Sequence, residues 1–287
     1  MLSRNINAMK IGNRSFDVQN HTYVMGILNV TPDSFSDGGK WLDKDKALYR
    51  VESMLEEGMD ILDVGGESTR PGHVVITDEE EIARVVPVIE TIKAQFDVPI
   101  SLDTYKAEVA KAGIKAGVDM INDIWGLRKD PVMARVIAES GVACCLMHNR
   151  KEADYANLLP DMVADLQESV ELALEAGISK DKIILDPGIG FGKAYVDNLQ
   201  VLGALDAFKQ FGYPLLLGTS RKSVIGLTLD LPVEERLEGT LVTTVMAVQQ
   251  GYSFVRVHDI KENVRAIRMA EAIREGGSSL YGRNQNR

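Results

Sequence analysis

The feature that most constrains the fold is a repeat of short apolar, β-branched segments that alternate with segments of helical spacing. The apolar segments, which we expect to be strands, lie near residues 23–29, 60–64, 98–102, 118–121, 142–147, 182–185, 214–218 and 254–257. The segments of helical spacing lie at residues 46–57, 78–95, 107–116, 158–176, 233–250 and 264–273. A strand and a helix about every 30 residues match the length of a βαβ unit, so the pattern predicts parallel strands joined by helices.

Eight such units in about 250 residues favour an α/β fold with a single (β/α)8 barrel over an open doubly wound sheet. We place the barrel at residues 21–278, a short N-terminal extension at residues 1–20 and a polar tail at residues 279–287. The extension is interpreted as an appendage that is compatible with a short hairpin around Gly12-Asn13. The Gly-rich string at residues 188–192 lacks the spacing of a dinucleotide-binding fingerprint, and no P-loop, CxxC or HExxH string occurs.

Composition excludes several classes of function. The 287 residues carry a formal net charge of −10 without a block of Lys and Arg, which argues against a nucleic-acid partner. The longest strictly apolar run is Val142 to Met147, so we expect neither a membrane span nor a secretory segment. We therefore expect a cytoplasmic protein. Cys144 and Cys145 are adjacent and are expected to be buried free thiols.

Polar residues close nearly every predicted strand. They include Asn29, Asp63, Asp103, Asn122, Asp123, His148, Asp186, Thr219, Arg256 and His258. Each alone has an ordinary explanation as a helix cap, a turn former or, for His148, a loop histidine. In a (β/α)8 barrel, however, the carboxyl ends of the strands build the active site, so the ring of polar ends predicts a site for a polar small molecule.

The predicted rim divides into two sectors of different chemistry. The acceptor sector consists of Asp103, Asn122 and Asp186. Its ionised carboxylates accept hydrogen bonds and cannot donate them, so it suits an aminopyrimidine-like edge. The cationic sector consists of Lys222, Arg256 and His258, and it suits a phosphate group. Asn29 and the carboxylates of the following loop lie beside the cations, which suggests Mg²⁺ at the phosphate end of the ligand.

Seven strings resemble the dihydropteroate synthase family, in the family's order over roughly residues 23–275. They are Asn29-Val-Thr-Pro-Asp-Ser-Phe-Ser-Asp-Gly-Gly39, Asp63-Val-Gly-Gly-Glu-Ser-Thr-Arg-Pro-Gly72, Ser101-Leu-Asp-Thr104, Ile121-Asn-Asp123, Leu185-Asp-Pro-Gly188, Ser220-Arg-Lys222 and Arg256-Val-His258. The resemblance implies that 6-hydroxymethyl-7,8-dihydropterin diphosphate and p-aminobenzoate condense to 7,8-dihydropteroate and diphosphate in folate biosynthesis. It also implies Mg²⁺, a homodimer and competition by sulfonamides.

The resemblance assigns roles to individual residues. Asp103, Asn122, Asp186 and Lys222 would hold the pterin. Asn29, Thr69, Arg256 and His258 would hold the diphosphate, with Asn29 on Mg²⁺. Phe35, Thr69, Arg70, Pro71, Phe191 and Ser223 would frame the aminobenzoate. Asp103, Lys222, Arg256 and His258 are the expected catalytic groups. For Lys222 we follow the family, although the sector argument alone had placed it with the phosphate.

Two other functions fit parts of the pattern. A pterin-binding barrel that moves a methyl group from methyltetrahydrofolate to a corrinoid protein shares the Asp and Asn contacts, but it does not need the string Asn29 to Gly39, Ser220-Arg-Lys222 or Arg256-Val-His258. A catalytically silent pterin-binding barrel is the third possibility, and an assay for diphosphate release separates it from an enzyme. The apolar surface of the helix predicted at residues 235–250 is either a subunit interface or an ordinary buried helix.

Overall fold

The computed structural model describes residues 6–30, 40–67 and 75–276. Its strands are β1 (Ala8–Ile11), β2 (Arg14–Asp17), β3 (Tyr23–Asn29), β4 (Ile61–Gly65), β5 (Ile100–Asp103), β6 (Met120–Asp123), β7 (Ala143–Met147), β8 (Ile183–Asp186), β9 (Leu216–Leu217) and β10 (Phe254–Val257). Its α-helices are α1 (Lys40–Glu57), α2 (Asp78–Gln95), α3 (Ala107–Lys115), α4 (Met133–Ser140), α5 (Leu158–Glu175), α6 (Tyr195–Gly203), α7 (Ser223–Leu229), α8 (Leu237–Gln250) and α9 (Ile260–Arg274). Short 3-10 segments lie at Lys180–Lys182, Leu205–Phe211 and Val233–Glu235.

The strands β3 to β10 form one parallel sheet in which each strand pairs with its neighbours in the chain. The sheet order is β8-β7-β6-β5-β4-β3-β10-β9, and a parallel bridge between Leu185 and Leu215 joins its two ends. Because the two edges meet, the sheet closes on itself, and the predicted (β/α)8 barrel is confirmed. Every residue of β4, β5, β6, β7 and β8 is buried, as expected for parallel strands that are covered on both faces.

The N-terminal hairpin closes the amino-terminal end of the barrel. Strands β1 and β2 pair antiparallel around a turn in which Gly12 has a φ of +59°. The buried side chains of Met9, Ile11, Phe16 and Val18 pack against the inward-facing residues Met25, Ile61, Met120, Ala143, Cys145, Ile184, Leu216 and Phe254. Most of these begin a barrel strand, so the hairpin fills the mouth opposite the predicted site. The hairpin expected around Gly12-Asn13 is therefore present, and its alternating apolar residues continue the core of the barrel.

The helices differ from the prediction in number and in bounds; α1 begins at Lys40 rather than at residue 46, and α9 at Ile260 rather than at residue 264. Helix α2 begins and ends at the predicted residues, and the side chain of Thr77 caps it by accepting from the backbone N–H of Glu80 at 3.2 Å. Helices α4, α6 and α7 were not predicted. Their seven to nine residues give few repeats of the helical period, although α3, which also has nine residues, was predicted. The predicted helix at residues 233–250 divides into a 3-10 segment and α8. Within the described residues, no helix combines the length and the apolar character needed to cross a membrane.

Candidate active site

The carboxyl ends of the barrel strands bring the predicted polar residues to one rim. Strand register pairs Asn29 with Gly65, Gly65 with Asp103, and Asp103 with Asn122. Across the barrel, a Cβ atom built on Gly218 would lie 3.6 Å from Oδ2 of Asp186, 3.8 Å from Cβ of Arg256 and 3.9 Å from Nζ of Lys222. The acceptor sector and two members of the cationic sector therefore surround the same space at the mouth of the barrel.

Arg256 lies between two buried carboxylates. Its Nε atom donates to Oδ2 of Asp63 at 2.6 Å, and its Nη2 atom donates to Oδ2 of Asp103 at 2.7 Å. Burial alone would lower the pKa of Arg256, but the charges of Asp63 and Asp103 raise it above its usual value. Asp63, predicted at a strand end and without an assigned role, lies in the middle of β4 and holds Arg256 in place.

Asp103 keeps capacity for a further hydrogen bond. Burial raises its pKa to about 7, because the attraction of Arg256 only partly offsets the loss of solvent and the repulsion from Asp63. Its Oδ1 atom is buried and has no hydrogen-bond partner among the residues that the structure describes, and the same is true of Oδ1 of Asp63. Buried acceptors of this kind are costly unless a proton, a water molecule or a ligand satisfies them. The arrangement fits a ligand that brings N–H donors to the barrel mouth.

Asp186 and Lys222 complete the deep part of the rim. Oδ1 of Asp186 accepts from the backbone N–H of Gly188 at 2.7 Å, which orients the carboxylate. Nζ of Lys222 donates to the carbonyl oxygen of Ile189 at 2.5 Å. Burial lowers the pKa of Lys222 to about 8, although the nearby charge of Asp186 favours the ammonium form. Both groups are therefore held by the segment that follows β8.

His258 is oriented by Ser220, a residue to which the sequence analysis gave no role of its own. The Oγ atom of Ser220 lies 2.9 Å from Nδ1 of His258 and accepts from the backbone N–H of His258 at 3.2 Å. The adjacent Arg221 and Asp259 form an ion pair, with Nε and Oδ2 3.0 Å apart. These contacts fix the loop after β9 to the end of β10.

Asn29 is exposed at the end of β3, beside Gly65. A Cβ atom at Gly65 would lie 3.7 Å from Oδ1 of Asn29 and 3.7 Å from Cβ of Asp103, so Asn29 and Asp103 flank the same position of the rim. The described residues contain no cluster of three or more His, Cys, Asp or Glu side chains that could hold a metal ion. A single exposed amide oxygen still suits Mg²⁺, which takes few protein ligands and completes its shell with water and substrate phosphate oxygens.

The predicted aminobenzoate residues are only partly within the described structure. Nζ of Lys222 lies 4.6 Å from the centroid of the Phe191 ring, and Ser223 is exposed at the first position of α7. Phe35, Thr69, Arg70 and Pro71 lie outside the described residues.

Two predicted strand-end residues, Asp123 and His148, bind neighbouring protein groups rather than facing the open mouth of the barrel with the acceptor sector. Asp123 accepts from the backbone N–H groups of Trp125 and Leu127, each at 2.8 Å, and so forms a turn. His148 is buried and lies 2.9 Å from both Oδ2 of Asp165 and Nζ of Lys193. Lys193 was not predicted from the sequence; the only signal was its position directly after the Gly-rich string.

The comparisons with known proteins agree with this geometry. The family described as pterin binding enzyme matches residues 25–258. A dihydropteroate synthase of Clostridium beijerinckii is 56% identical over 266 residues, which cover 92% of this chain and 99% of the relative. A crystal structure of the Clostridium difficile dihydropteroate synthase in the presence of pteroic acid is 50% identical, with a TM-score of 0.88, and covers 90% of this chain and 98% of that one. A Xanthomonas albilineans dihydropteroate synthase with 4-aminobenzoic acid is 40% identical, with a TM-score of 0.88, over 93% and 98% of the two chains.

Proposed function

The chain belongs to the pterin-binding enzyme family, and within it to the dihydropteroate synthases, and on this basis we propose its reaction and the roles of its residues. The enzyme is a transferase of folate biosynthesis. It condenses 6-hydroxymethyl-7,8-dihydropterin diphosphate with p-aminobenzoate to 7,8-dihydropteroate and diphosphate. The observation that carries the proposal is the pairing of Arg256 with Asp103, which places a cation directly beside the acceptor sector at one barrel mouth.

The acceptor sector and Lys222 bind the pterin. The ring's N–H and NH₂ groups donate to the carboxylates of Asp103 and Asp186 and to the amide oxygen of Asn122, while Lys222 donates to a ring acceptor. The assignment is supported by the burial of all three acceptors and by Oδ1 of Asp103, which has no hydrogen-bond partner within the described part of the chain.

Arg256, His258, Asn29 and Thr69 bind the diphosphate. The planar guanidinium of Arg256 matches the phosphate oxygens, and Ser220 keeps the His258 ring at the rim. Asn29 would hold Mg²⁺ together with diphosphate oxygens and water. When bound, the metal would neutralise negative charge on the diphosphate and so make it a better leaving group.

The chemistry is a substitution at the pterin methylene carbon. The C–O bond breaks with its electron pair leaving on the diphosphate, while the electron-rich dihydropterin ring stabilises the positive methylene. The arylamine nitrogen then attacks that carbon and loses a proton. Arg256 and His258 stabilise the departing oxygens, and Asp103 faces the cationic ring, so that no covalent enzyme intermediate forms. Incubation with the pterin diphosphate in oxygen-18 water, without aminobenzoate, should label the hydroxymethylpterin; label found only in phosphate contradicts this route.

The aminobenzoate binds against Phe191 and Ser223, with Phe35, Thr69, Arg70 and Pro71 completing its pocket. Phe191 lies on the turn after β8 and Ser223 begins α7, so both flank Lys222. Sulfonamides, which resemble p-aminobenzoate, compete there. Inhibition that p-aminobenzoate overcomes and the pterin diphosphate does not is the expected kinetic pattern.

A homodimer through α6, α7 and α8 accounts for the exposed apolar residues of these helices. They are Tyr195, Val196, Leu199, Leu227, Leu229 and Val242. The hydroxyl of Tyr195 lies 3.1 Å from that of Thr228, which links α6 to α7. A mass near twice 31.5 kDa by light scattering, reduced by the substitution Val242→Glu, is expected.

We further propose that the enzyme works in the cytoplasm. The chain has two cysteines, Cys144 and Cys145, and both are free and fully buried. Unpaired thiols are usual in a reducing compartment.

The function is tested by mixing the purified protein with both substrates and Mg²⁺. Equal amounts of dihydropteroate and diphosphate are expected. Binding of the pterin without diphosphate release would identify a silent pterin-binding barrel, and methyl transfer from methyltetrahydrofolate would identify the corrinoid-linked class.

A further inference from the structure

A cluster of polar side chains, in which His148 is buried and Lys193 and Asp165 are partly buried, lies beneath the Gly-rich turn at residues 188–192, beside the rim. At its centre, Nζ of Lys193 is within 2.9 Å of three groups: the carbonyl oxygens of Gly188 and Phe191, and Nδ1 of His148. The two carbonyls belong to the first and fourth residues of the turn, so one side chain closes the turn on itself.

The partners of His148 determine which atoms carry protons. Burial lowers the pKa of His148 to about 4, so its ring is neutral at physiological pH. Burial would raise the pKa of Asp165, but hydrogen bonds from His148 and Arg150 outweigh it and hold that pKa well below its usual value. Since ionised Asp165 can only accept, Nε2 of His148 carries the hydrogen and Nδ1 is a bare acceptor. All three neighbours of Lys193 are then acceptors, which requires its ammonium form.

The turn that Lys193 closes supports two residues of the rim. The carbonyl of Ile189 accepts from Nζ of Lys222, and the ring of Phe191 lies against the same atom. Two positions of the turn, Gly188 and Gly192, have no room for a larger side chain that could pack against its surroundings. A Cβ atom at Gly188 would overlap the carbonyl of His148, and one at Gly192 would overlap the backbone of Arg150. Its position therefore depends on hydrogen bonds of its backbone. The carbonyls of Gly188 and Phe191 accept from Lys193, and the N–H groups of Gly188 and Gly190 donate to Asp186 and Asn198 at 2.7 and 2.6 Å.

The loop after β7 provides the fixed support for this arrangement. Asp165, on α5, is bound by Nε of Arg150 at 2.6 Å as well as by His148. The hydroxyl of Tyr155 donates to the carbonyl of Gly192 at 2.6 Å. Asp165 thus stays paired even if its bond from His148 is lost, which makes His148 a suitable residue for testing the link to Lys193.

We propose that Lys193, oriented by the His148–Asp165 pair, is a positioning residue that holds the turn carrying Phe191 and so shapes the pocket for the arylamine substrate. The inference rests on the proposed function for the role of Phe191. It goes beyond that function because neither Lys193 nor His148 touches a substrate in it. Lys193 acts through the backbone of the turn.

The first test is the substitution Lys193→Met, with Lys209→Met, at an exposed position, as the matched control. Assays are run below pH 7, because burial lowers the pKa of Lys193 to about 7 and the ammonium form prevails there. The KM for p-aminobenzoate should rise about tenfold or more, the factor expected for losing a hydrogen bond from a charged donor. The KM for the pterin diphosphate should rise less, because the turn also contacts Asp186 and Lys222 but does not touch Asp103 and Asn122, which lie on β5 and β6.

The second test separates the two nitrogens of His148 and does not depend on whether Lys193→Met folds. In His148→Asn, the amide oxygen can take the place of Nδ1 and keep an acceptor for Lys193. In His148→Gln, the amide nitrogen can take the place of Nε2 and keep a donor for Asp165, but the acceptor is lost. The Asn variant should therefore keep a KM for p-aminobenzoate near that of the wild type, and the Gln variant should raise it about tenfold.

The outcomes distinguish this inference from the proposed function. Wild-type protein that forms no dihydropteroate overturns the function itself. If the wild type is active, a folded Lys193→Met variant with an unchanged KM for p-aminobenzoate overturns the positioning role. Equal values of that KM in the Asn and Gln variants at residue 148 overturn the link through Nδ1.

Discussion

Nη2 of Arg256 lies 2.7 Å from Oδ2 of Asp103, and this pair joins the two chemical sectors of the rim. The same guanidinium also binds Asp63 at 2.6 Å, so its orientation is set before any ligand binds. A fixed cation beside the acceptors costs little reorganisation when negative charge develops on a leaving group.

Substitution of Arg256 should affect stability as well as turnover. Arg256→Met leaves Asp63 and Asp103 buried without a counter-charge, which should lower the free energy of unfolding by about 3–5 kcal/mol at neutral pH. Arg256→Lys keeps the positive charge and should lower the free energy of unfolding less than Arg256→Met does. It lacks the planar guanidinium that can donate two parallel hydrogen bonds, so it should lower kcat/KM for the pterin diphosphate by about 100-fold. Urea unfolding and steady-state kinetics measure the two effects. Equal stability of the two variants would contradict the ion-pair account.

Pterin binding should depend on pH through Asp103. Burial raises the pKa of its carboxyl to about 7, in a setting that includes Arg256, Asp63, Glu81 and Lys222. Donors on the ligand favour the ionised carboxylate, so protonation competes with binding. The affinity should therefore fall as the pH drops below about 7, approaching a factor of ten for each pH unit.

Isothermal titration calorimetry in two buffers of different ionisation enthalpy measures this effect as proton release on binding. Asp103→Asn, which cannot ionise, should bind weakly with a nearly flat profile in the same range. If the pterin affinity of Asp103→Asn still falls below pH 7 as it does in the wild type, another group causes the pH dependence.

The open space around Gly218 should be essential for ligand binding but not for the fold. A methyl group there would meet Asp186, Arg256 and Lys222 only at ordinary contact distances, so Gly218→Ala should change the free energy of unfolding by less than about 1 kcal/mol. Gly218→Val projects further into the mouth and should weaken pterin binding about tenfold or more. Gly203→Ala, where a Cβ atom meets nothing within 4 Å, is the control. Tight pterin binding by Gly218→Val would show that the pterin lies elsewhere.

The N-terminal hairpin should contribute stability and leave kinetics unchanged. The Phe16 ring is buried, with its centroid 4.8 Å from that of Tyr23 and 5.8 Å from that of Phe254. Phe16→Ala should lower the free energy of unfolding by about 3–5 kcal/mol, as for other large core truncations. The KM values of the folded enzyme should not change, because the hairpin closes the opposite end of the barrel. A loss of less than 1 kcal/mol would mean that the hairpin is not part of the core.

The sequence predicted the barrel because its strands are buried on both faces, which produces continuous apolar runs such as Ile183 to Leu185. The same runs located the site, since a polar residue that closes each one must lie at the rim. Helix α7 escaped prediction because seven residues hold only about two turns.

The supporting residues of the site could not be inferred from the chain. Asp63 lies 193 positions from Arg256, and Lys193 lies 45 from His148, so only the folded structure brings each pair together. The pairing also shows how Asp63, in the middle of β4, can be buried. Phe35 and Thr69 stay predictions for the substrate pocket, because they lie outside the described residues.

The most direct test compares the affinities of 6-hydroxymethylpterin and its diphosphate for the wild type, Asp186→Asn and His258→Ala. His258 is chosen over Arg256 because Arg256 contacts Asp103 and would disturb both sectors. Asp186→Asn should lower the affinity for both ligands by the same factor, whereas His258→Ala should lower only the affinity for the diphosphate. If both variants weaken both ligands equally, the division of the barrel mouth into a pterin sector and a diphosphate sector is wrong.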